Sequence, residues 1–441
     1  MSRRPNILFL FTDDQRFDTV GALGNPEVRT PNLDRLVDRG TAFTNAYIMG
    51  GTCGAVCMPS RAMLHSGRTL FHIDREGQDV PREHTMLGEC LQAAGYTTFG
   101  TGKWHNGRPA FARSFTCGDR IFFGGMSDHF KVPLNAFDPA GLYPKERIVH
   151  GEKRHSSDLF SGAVIDFLQT YDADAPFFAY LSFTAPHDPR DTHPRFHALY
   201  DPATLALPES FLPEHPFDNG ELRIRDEMLA PFPRTPEVIR QHTADYYAML
   251  SHIDAAVGRV LSTLDATGHG DDTIVVFAGD NGLAVGRHGL MGKQSVYDHS
   301  VHVPLLLAGP GVPSGESRDA FAYLIDIYPT LCELLGIDTP ATVEGRSLCP
   351  ALESSGETIR NTLFFAYRHL HRGVRDRRHK LIEYCVEGTR TTQLFDLADD
   401  PHETEDLADA PAKADVLARL RGELLQWQED LGDEAGSWLG T

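Results

Sequence analysis

Four short apolar segments are each followed by a cluster of polar residues, and this pattern constrains the fold more than any other feature of the chain. Asn6–Thr12 (NILFLFT) runs into Asp13-Asp14-Gln15, and residues 96–100 run into Thr101-Gly102-Lys103-Trp104-His105. Residues 177–183 (FFAYLSF) lead to His187-Asp188-Pro189-Arg190, and residues 273–278 (TIVVFA) to Gly279-Asp280-Asn281. Residues 303–308 form a further run. Runs without polar alternation are buried on both faces, as strands of a largely parallel sheet are. Between them lie helical stretches at 31–39, 85–95, 156–171, 236–264 and 326–336, opened by Thr-Pro or Ser and closed by Gly at several ends. Strand alternating with helix predicts a doubly wound mixed α/β sheet flanked by helices. Ligands of such sheets gather beyond the carboxyl ends of the strands.

The chain has 441 residues, too many for one core of ordinary size. The pattern changes near residue 340. Strands at 363–367, 380–384 and 393–397 are joined by short loops, and a closing helix spans 412–431. The expected division is therefore a catalytic α/β domain over 1–340 and a smaller subdomain over 341–441, an antiparallel sheet with one helix. Residues 106–155 and 191–234 read as long loops, which in compact proteins serve as lids or binding walls.

The formal net charge is −20, which excludes nucleic acid and anionic membrane surfaces as partners. No apolar run approaches the roughly 20 residues that span a bilayer. Residues 7–11 are too short for the apolar region of a signal peptide. Seven cysteines without a CxxC pair fit a reducing compartment. A cytoplasmic location is expected, or a periplasmic or secreted one if a leader has been removed. An anionic substrate would be repelled overall and needs a local cluster of cations.

Residues 53–68 read Cys-Gly-Ala-Val-Cys-Met-Pro-Ser-Arg-Ala-Met-Leu-His-Ser-Gly-Arg. Pro59 suits the first turn of a helix and Gly67 its end. Cys57 then sits just before a helix N-terminus, where free N–H groups favour an anion. Asp13, Asp14, Asp280 and the Asn281 carbonyl form a hard oxygen set that suits calcium or magnesium better than zinc. Arg61, Lys103 and Lys293 supply the cations that the overall charge lacks.

Cys57-x-Pro59-Ser60-Arg61 followed by Leu64-x-Ser66-Gly67-Arg68 resembles the signature of the type I sulfatases, within the alkaline-phosphatase superfamily. The resemblance extends from Asn6 to about Leu407 and includes the segment from Asp396-Leu397 to Asp400-Pro401-His402-Glu403. It implies that Cys57 is oxidised to formylglycine by a formylglycine-generating enzyme that reads Cys57 to Arg61. It implies calcium, or magnesium, on Asp13, Asp14, Asp280, Asn281 and the modified Cys57. Cys57, Arg61, Lys103, His105, His187 and Lys293 become the catalytic and sulfate-pocket residues. His187 is the acid for the leaving alcohol and His105 the base for sulfate release. The expected reaction is hydrolysis of a sulfate monoester, carried by a small molecule or glycan, with a carbohydrate favoured by the Lys-Trp-His segment and the His-Asp-Pro-Arg loop.

Asp188 and Arg190 are candidate substrate contacts or a surface ion pair. Arg368 and His371, in Tyr367-Arg368-His369-Leu370-His371-Arg372, are candidates to reach the pocket from the C-terminal subdomain. The alternative enzyme is a phosphonate monoester hydrolase or phosphodiesterase of the same superfamily. A catalytically dead glycan-binding protein is disfavoured by the intact Cys57. A cofactor-independent phosphoglycerate mutase is disfavoured by the shortage of histidine ligands. Nothing in the sequence sets the oligomeric state.

Overall fold

Asn6–Thr12 is buried at every residue and forms a central strand of an eight-stranded sheet in the computed structural model, which describes residues 4–151 and 153–440. From edge to edge the strands are Glu316–Arg318, Gly40–Phe43, Leu305–Ala308, Thr273–Gly279, Asn6–Thr12, Phe177–Ser182, Thr97–Lys103 and Cys117–Phe122. The last five pair in parallel, so their carboxyl ends share one edge. Leu305–Ala308 runs antiparallel to both of its neighbours, which makes the sheet mixed.

The pleat divides the core. Ile7, Phe9 and Phe11 face one side, with Tyr180 and Val276. That side is covered by helices Cys57–Ser66, Leu87–Ala93 and Ile327–Leu335 and by the C-terminal sheet. Leu8 and Leu10 face the other side, with Ala179, Leu181 and Phe277, under helices Pro31–Arg39, Ser156–Thr170 and Pro236–Ala266. Strands with apolar residues on both faces are what a continuous hydrophobic run encodes.

The C-terminal sheet contains Leu363–Tyr367, His371–Arg375, His379–Val386 and Thr389–Asp396 in antiparallel order. Helix Ala414–Leu431 packs against it through Leu420 and Leu424. Its fifth strand is Gly50–Gly51, parallel to Leu363–Tyr367 and contributed from the chain just ahead of Cys57. No helix among the described residues is long and apolar enough to cross a membrane.

Two expectations need correction. Residues 106–155 are not one loop: they contain helix Arg108–Ser114 and the edge strand Cys117–Phe122. That strand carries Gly118, Asp119 and Arg120 and is only partly buried over its first four residues, so no apolar run marks it. Cys57 is itself the first residue of its helix rather than the residue before it. The end of that helix is as expected: Gly67 adopts φ 67°, and its N–H bonds the Met63 carbonyl at 2.8 Å.

Candidate active site

The shared carboxyl edge gathers the predicted residues. Asp13 and Asp14 follow one strand, Asp280 and Asn281 follow its neighbour, and Lys103 ends the strand Thr97–Lys103. Asp280 N–H donates to the Thr12 carbonyl at 3.0 Å, and Asp13 N–H to the Ala185 carbonyl at 3.1 Å, which fixes the loops against each other. Helix Cys57–Ser66 is buried along its whole length and brings Cys57 and Arg61 in from the opposite side. Gly102 at φ 86° is required beside Lys103, because a Cβ there would lie 1.7 Å from the Ser182 carbonyl oxygen.

Cys57 Sγ lies 3.2 Å from His105 Nδ1, 3.5 Å from Lys103 Nζ and 3.9 Å from Lys293 Nζ. Lys103 Nζ also donates to Asp13 Oδ2 at 2.5 Å, and Lys293 Nζ to Asp14 Oδ1 at 2.5 Å. Arg61 Nε donates to Asp280 Oδ2 at 2.8 Å, and its Nη1 to the Lys103 carbonyl at 3.0 Å and Ser182 Oγ at 2.6 Å. Three buried carboxylates are thus matched by three buried cations. His187 Nδ1 donates to the Asp188 carbonyl at 2.9 Å, leaving Nε2 facing Asp14 Oδ2 at 3.7 Å. Asp14 and His105 hold φ values of 63° and 68°, a left-handed backbone that is costly for a residue with a Cβ and that collects at functional sites.

The acidic residues respond unequally. Burial raises Asp13 to about 6, against the pull of Lys103. Burial and the neighbouring Asp13 raise Asp280 to about 6 as well. Burial works the same way on Asp14, but Lys293 and His187 overcome it and hold that carboxyl below its usual range. Burial, with Lys103, Arg61 and Lys293, holds His105 well below the usual imidazole value, so its ring is neutral.

The residues fit a hard divalent cation. Asp13 Oδ1 and Asn281 Oδ1 are buried without a hydrogen-bond partner. Asn281 spends its amide on Asp14 Oδ1 at 2.8 Å and on the Gly282 carbonyl, which leaves Oδ1 as the free donor atom. Ligand atoms of Asp13, Cys57 and Asp280 lie within 4.8 Å of one another. Asp158, His193 and His252 are a second such group among the described residues, but Asp158 there is bonded to Arg259 at 2.6 Å.

The sequence agrees with known proteins along nearly its full length. The family model Sulfatase matches residues 5–337, and the model for the C-terminal region of N-sulphoglucosamine sulphohydrolase matches residues 286–430. The chain belongs to the sulfatase family. It is a sulfuric ester hydrolase of the alkaline-phosphatase superfamily. An N-acetylglucosamine-6-O-sulfatase from Bacteroides thetaiotaomicron is 25% identical, over 97% of this chain and 86% of that protein. A solved complex with D-glucosamine-2-N,6-O-disulfate superposes with a TM-score of 0.81 at 23% identity, over 98% of this chain and 99% of that one. The phosphonate monoester hydrolase of Agrobacterium radiobacter superposes with a TM-score of 0.79 at 22% identity, over 97% and 96% of the two chains. The sulfatase family generally uses a metal and formylglycine.

The predicted outer residues are distributed differently. Asp188 and Arg190 do not bond each other. Asp188 is buried and takes both nitrogens at the end of the Arg225 guanidinium, while Arg190 Nη1 bonds His242 Nδ1 at 2.8 Å. Arg368 is half-exposed at the rim, 3.2 Å from Glu221, and its Nη2 lies beside Gly54. His371 does not reach the pocket: its ring is buried between Tyr367 and Tyr384, and Nε2 donates to the Asn219 carbonyl at 2.6 Å. A histidine in alternation on a strand of a packed sheet turns inward as readily as outward. The sequence reading missed Ser182, Gln294, Arg225 and Asp226. Gln294 bridges the Gly54 carbonyl at 2.9 Å and Asp226 at 2.7 Å. Arg225 and Asp226 lie in the irregular stretch 191–234, where no periodicity marks them.

Proposed function

We propose that this chain hydrolyses a sulfate monoester on a sugar, with one calcium ion (magnesium fits the same atoms) and with Cys57 converted to formylglycine by a generating enzyme that reads Cys57 to Arg61. The observation that carries the reading is Cys57 Sγ set between two lysines, a neutral histidine and two of the three carboxylates. That sulfur marks where the oxygens of formylglycine would stand. Formylglycine, as its hydrate, supplies an oxygen nucleophile together with a second hydroxyl whose loss of a proton drives release of sulfate. A divalent ion on Asp13, Asp14, Asp280, Asn281 and residue 57 would polarise the sulfate oxygens.

The chain's own groups do the rest. With the carboxylates already neutralised by Arg61, Lys103 and Lys293, any added cation leaves the pocket positive and draws an anion into a chain of net charge −20. Lys103 and Lys293 hold oxygens carrying the developing charge. Arg61 bonds Asp280 and so orients it. His105 Nδ1, at 3.2 Å from residue 57, is placed to take its proton. His187, whose Nε2 is left free of the Asp188 carbonyl and lies 3.7 Å from Asp14 Oδ2, gives a proton to the departing alkoxide.

Support for a sugar comes from the relatives named for sulfated glucosamine and from a rim built of arginine and carboxylate pairs. The phosphonate monoester hydrolase reading shares the fold, and substrate turnover separates it. Protein made with an active generating system should show the mass of formylglycine at residue 57 and hydrolyse nitrophenyl sulfate and sulfated sugars better than a nitrophenyl phosphodiester. Protein made without that system should be largely inactive. A higher kcat/KM on the phosphodiester, or full turnover by unmodified Cys57, would overturn the proposal.

A further inference from the structure

Residues close in sequence to three site groups are linked to one arginine, directly or through Asp226. Asp188 follows His187, Gln294 follows Lys293, and Gly54 is three residues ahead of Cys57. Arg225 Nη1 donates to Asp188 Oδ1 at 2.9 Å and to Asp226 Oδ1 at 2.9 Å, and Nη2 donates to Asp188 Oδ2. Asp226 Oδ2 in turn accepts from Gln294 Nε2, which reaches the Gly54 carbonyl. The two carboxylates are nearly buried, whereas the Arg225 side chain is 45% exposed.

The donor geometry is one-sided. A guanidinium offers five N–H bonds in a fixed planar fork. Asp188 takes the end edge and Asp226 takes the inner Nη1 hydrogen. The side edge, Nε–H with the second Nη2–H, has no hydrogen-bond partner among the described residues. Holding one edge of a guanidinium against buried carboxylates fixes the direction of the other. Beside it, Arg368 is 39% exposed, with Nη1 3.2 Å from Glu221 and Nη2 near Gly54. Both guanidiniums are therefore tied, through Asp188, Asp226, Gln294 and Gly54, to the chain beside His187, Lys293 and Cys57. Neither bonds Cys57, whose sulfur is approached instead by Lys103 and Lys293.

We infer that the free edge of Arg225, with Arg368 beside it, binds a second oxyanion of the substrate, a sulfate or a carboxylate carried by the sugar at another position. This rests on the sulfate-ester reading above. A parallel pair of N–H donors is matched by two oxygens of one sulfate or carboxylate, and such bidentate bonds are stronger and more directional than bonds to a hydroxyl. A monosulfated sugar leaves this fork unused, and a disulfated or uronate-bearing one fills it.

The test compares kcat/KM of the formylglycine-containing enzyme on glucosamine 6-O-sulfate, glucosamine 2-N,6-O-disulfate, a 6-O-sulfated disaccharide carrying a uronate, and nitrophenyl sulfate. The wild type should prefer the dianionic sugars. Arg225→Ala should cost about 10- to 100-fold more on the preferred dianionic sugar than on the monosulfated one, mainly in KM. Arg225→Lys should recover little, because an ammonium keeps the charge and loses the fork. Which dianion is preferred identifies the group as sulfate or carboxylate. Because Arg225→Ala also unpairs the buried Asp188, Arg368→Ala is the second variant, and it should show the same selective loss. Its partner Glu221 keeps a bond from Tyr367 at 2.9 Å. Sulfated sugars turned over with no preference for a second anion, or losses equal on all four substrates in both variants, would overturn the inference and leave the sulfatase reading standing. Turnover of a phosphodiester with no sulfate ester consumed would overturn both.

Discussion

Single residues at this site act through charge balance, and their substitutions can be ordered by it. Asp13 Oδ1 is buried with no hydrogen-bond partner, and burial raises the Asp13 carboxyl to about 6. Asp13→Asn keeps the shape and removes the charge that a cation needs. It should lower metal content after dialysis, measured by atomic emission, and cut kcat by about 100-fold or more. Full metal occupancy with normal turnover would remove Asp13 from the ligand set, and a pair of tightly held zinc ions in native protein would replace calcium altogether. His187 is a different kind of residue. Its Nδ1 is committed to the Asp188 carbonyl at 2.9 Å, so only Nε2 can serve the substrate. A sugar alkoxide is a poor leaving group and gains from protonation, an effect typically worth about 100- to 10,000-fold, whereas nitrophenolate leaves unaided. His187→Ala should therefore damage turnover of a sulfated sugar far more than that of nitrophenyl sulfate. Equal damage to both would make His187 a sulfate-binding group, with the proton coming from elsewhere.

At the scale of elements, the loop that carries His187 is held from behind by buried histidines. His129 Nε2 donates to the His187 carbonyl at 2.9 Å, and its Nδ1 lies 2.8 Å from Ser156 Oγ. His155 stacks on His129 with ring centroids 4.9 Å apart, donates from Nε2 to the Asp191 carbonyl and accepts at Nδ1 from Ser157 N–H. Each ring has one donor and one acceptor nitrogen in use, which only a neutral imidazole provides. Burial lowers His129 to about 4 and His155 to about 2. Folded values below the unfolded imidazole value near 6.5 mean stability that is complete above that pH and is lost as pH falls toward 4. His129 alone contributes on the order of 3 kcal/mol to that loss at pH 4, since one unit is about 1.4 kcal/mol. Urea midpoints of the wild type should fall between pH 6.5 and 4, and those of His129→Gln should fall less. Parallel curves over that window would show that His129 is already charged in the folded protein. The sequence announces little of this support. Strands such as Asn6–Thr12 are legible because both faces are buried, and the polar residues after them are legible because the ends of parallel strands must meet. His129 and His155 stand in an irregular stretch, and their partners come from the start of helix Ser156–Thr170 and from residues 187–191. Chain-distant hydrogen bonds of that kind leave no periodic mark. Arg225 is hidden for the same reason, and the edge strand Cys117–Phe122 because an edge need not be apolar.

On the scale of the whole molecule, the C-terminal sheet and the catalytic sheet are joined through the segment that leads to Cys57. Gly50–Gly51 pairs with Leu363–Tyr367, with Ala366 N–H donating to the Met49 carbonyl at 2.9 Å and Arg368 N–H to the Gly51 carbonyl at 2.8 Å. A Cβ on Gly50 would lie 2.0 Å from the Ala366 carbonyl oxygen, so the approach requires glycine. Phe364, Phe365 and Tyr367 belong to the same apolar cluster as Tyr47, Met49 and Phe9. Beneath them Lys380 Nζ bonds Asp298 and Glu403, each at 2.7 Å, and Glu403 also accepts from Asp298 N–H at 2.8 Å. Removing the last hundred or so residues would strip one wall from the main core, leave Asp298 without its lysine and free the strand that positions residues 53–57. Buried carboxylates left unpaired cost several kcal/mol, which is comparable with the whole stability of a domain. We therefore expect a chain of residues 1–340 to be insoluble or to lack cooperative unfolding, with no activity even when supplied with a generating enzyme. The stretch that leads into the C-terminal sheet is expected to be dispensable as a covalent link, because residues 353–358 are exposed and carry no strand. A protease site placed there should be cut without loss of activity, and the two pieces should co-elute until denatured. If residues 1–340 alone unfold cooperatively and hydrolyse nitrophenyl sulfate, the C-terminal sheet only shapes the outer pocket and Cys57 is positioned without it.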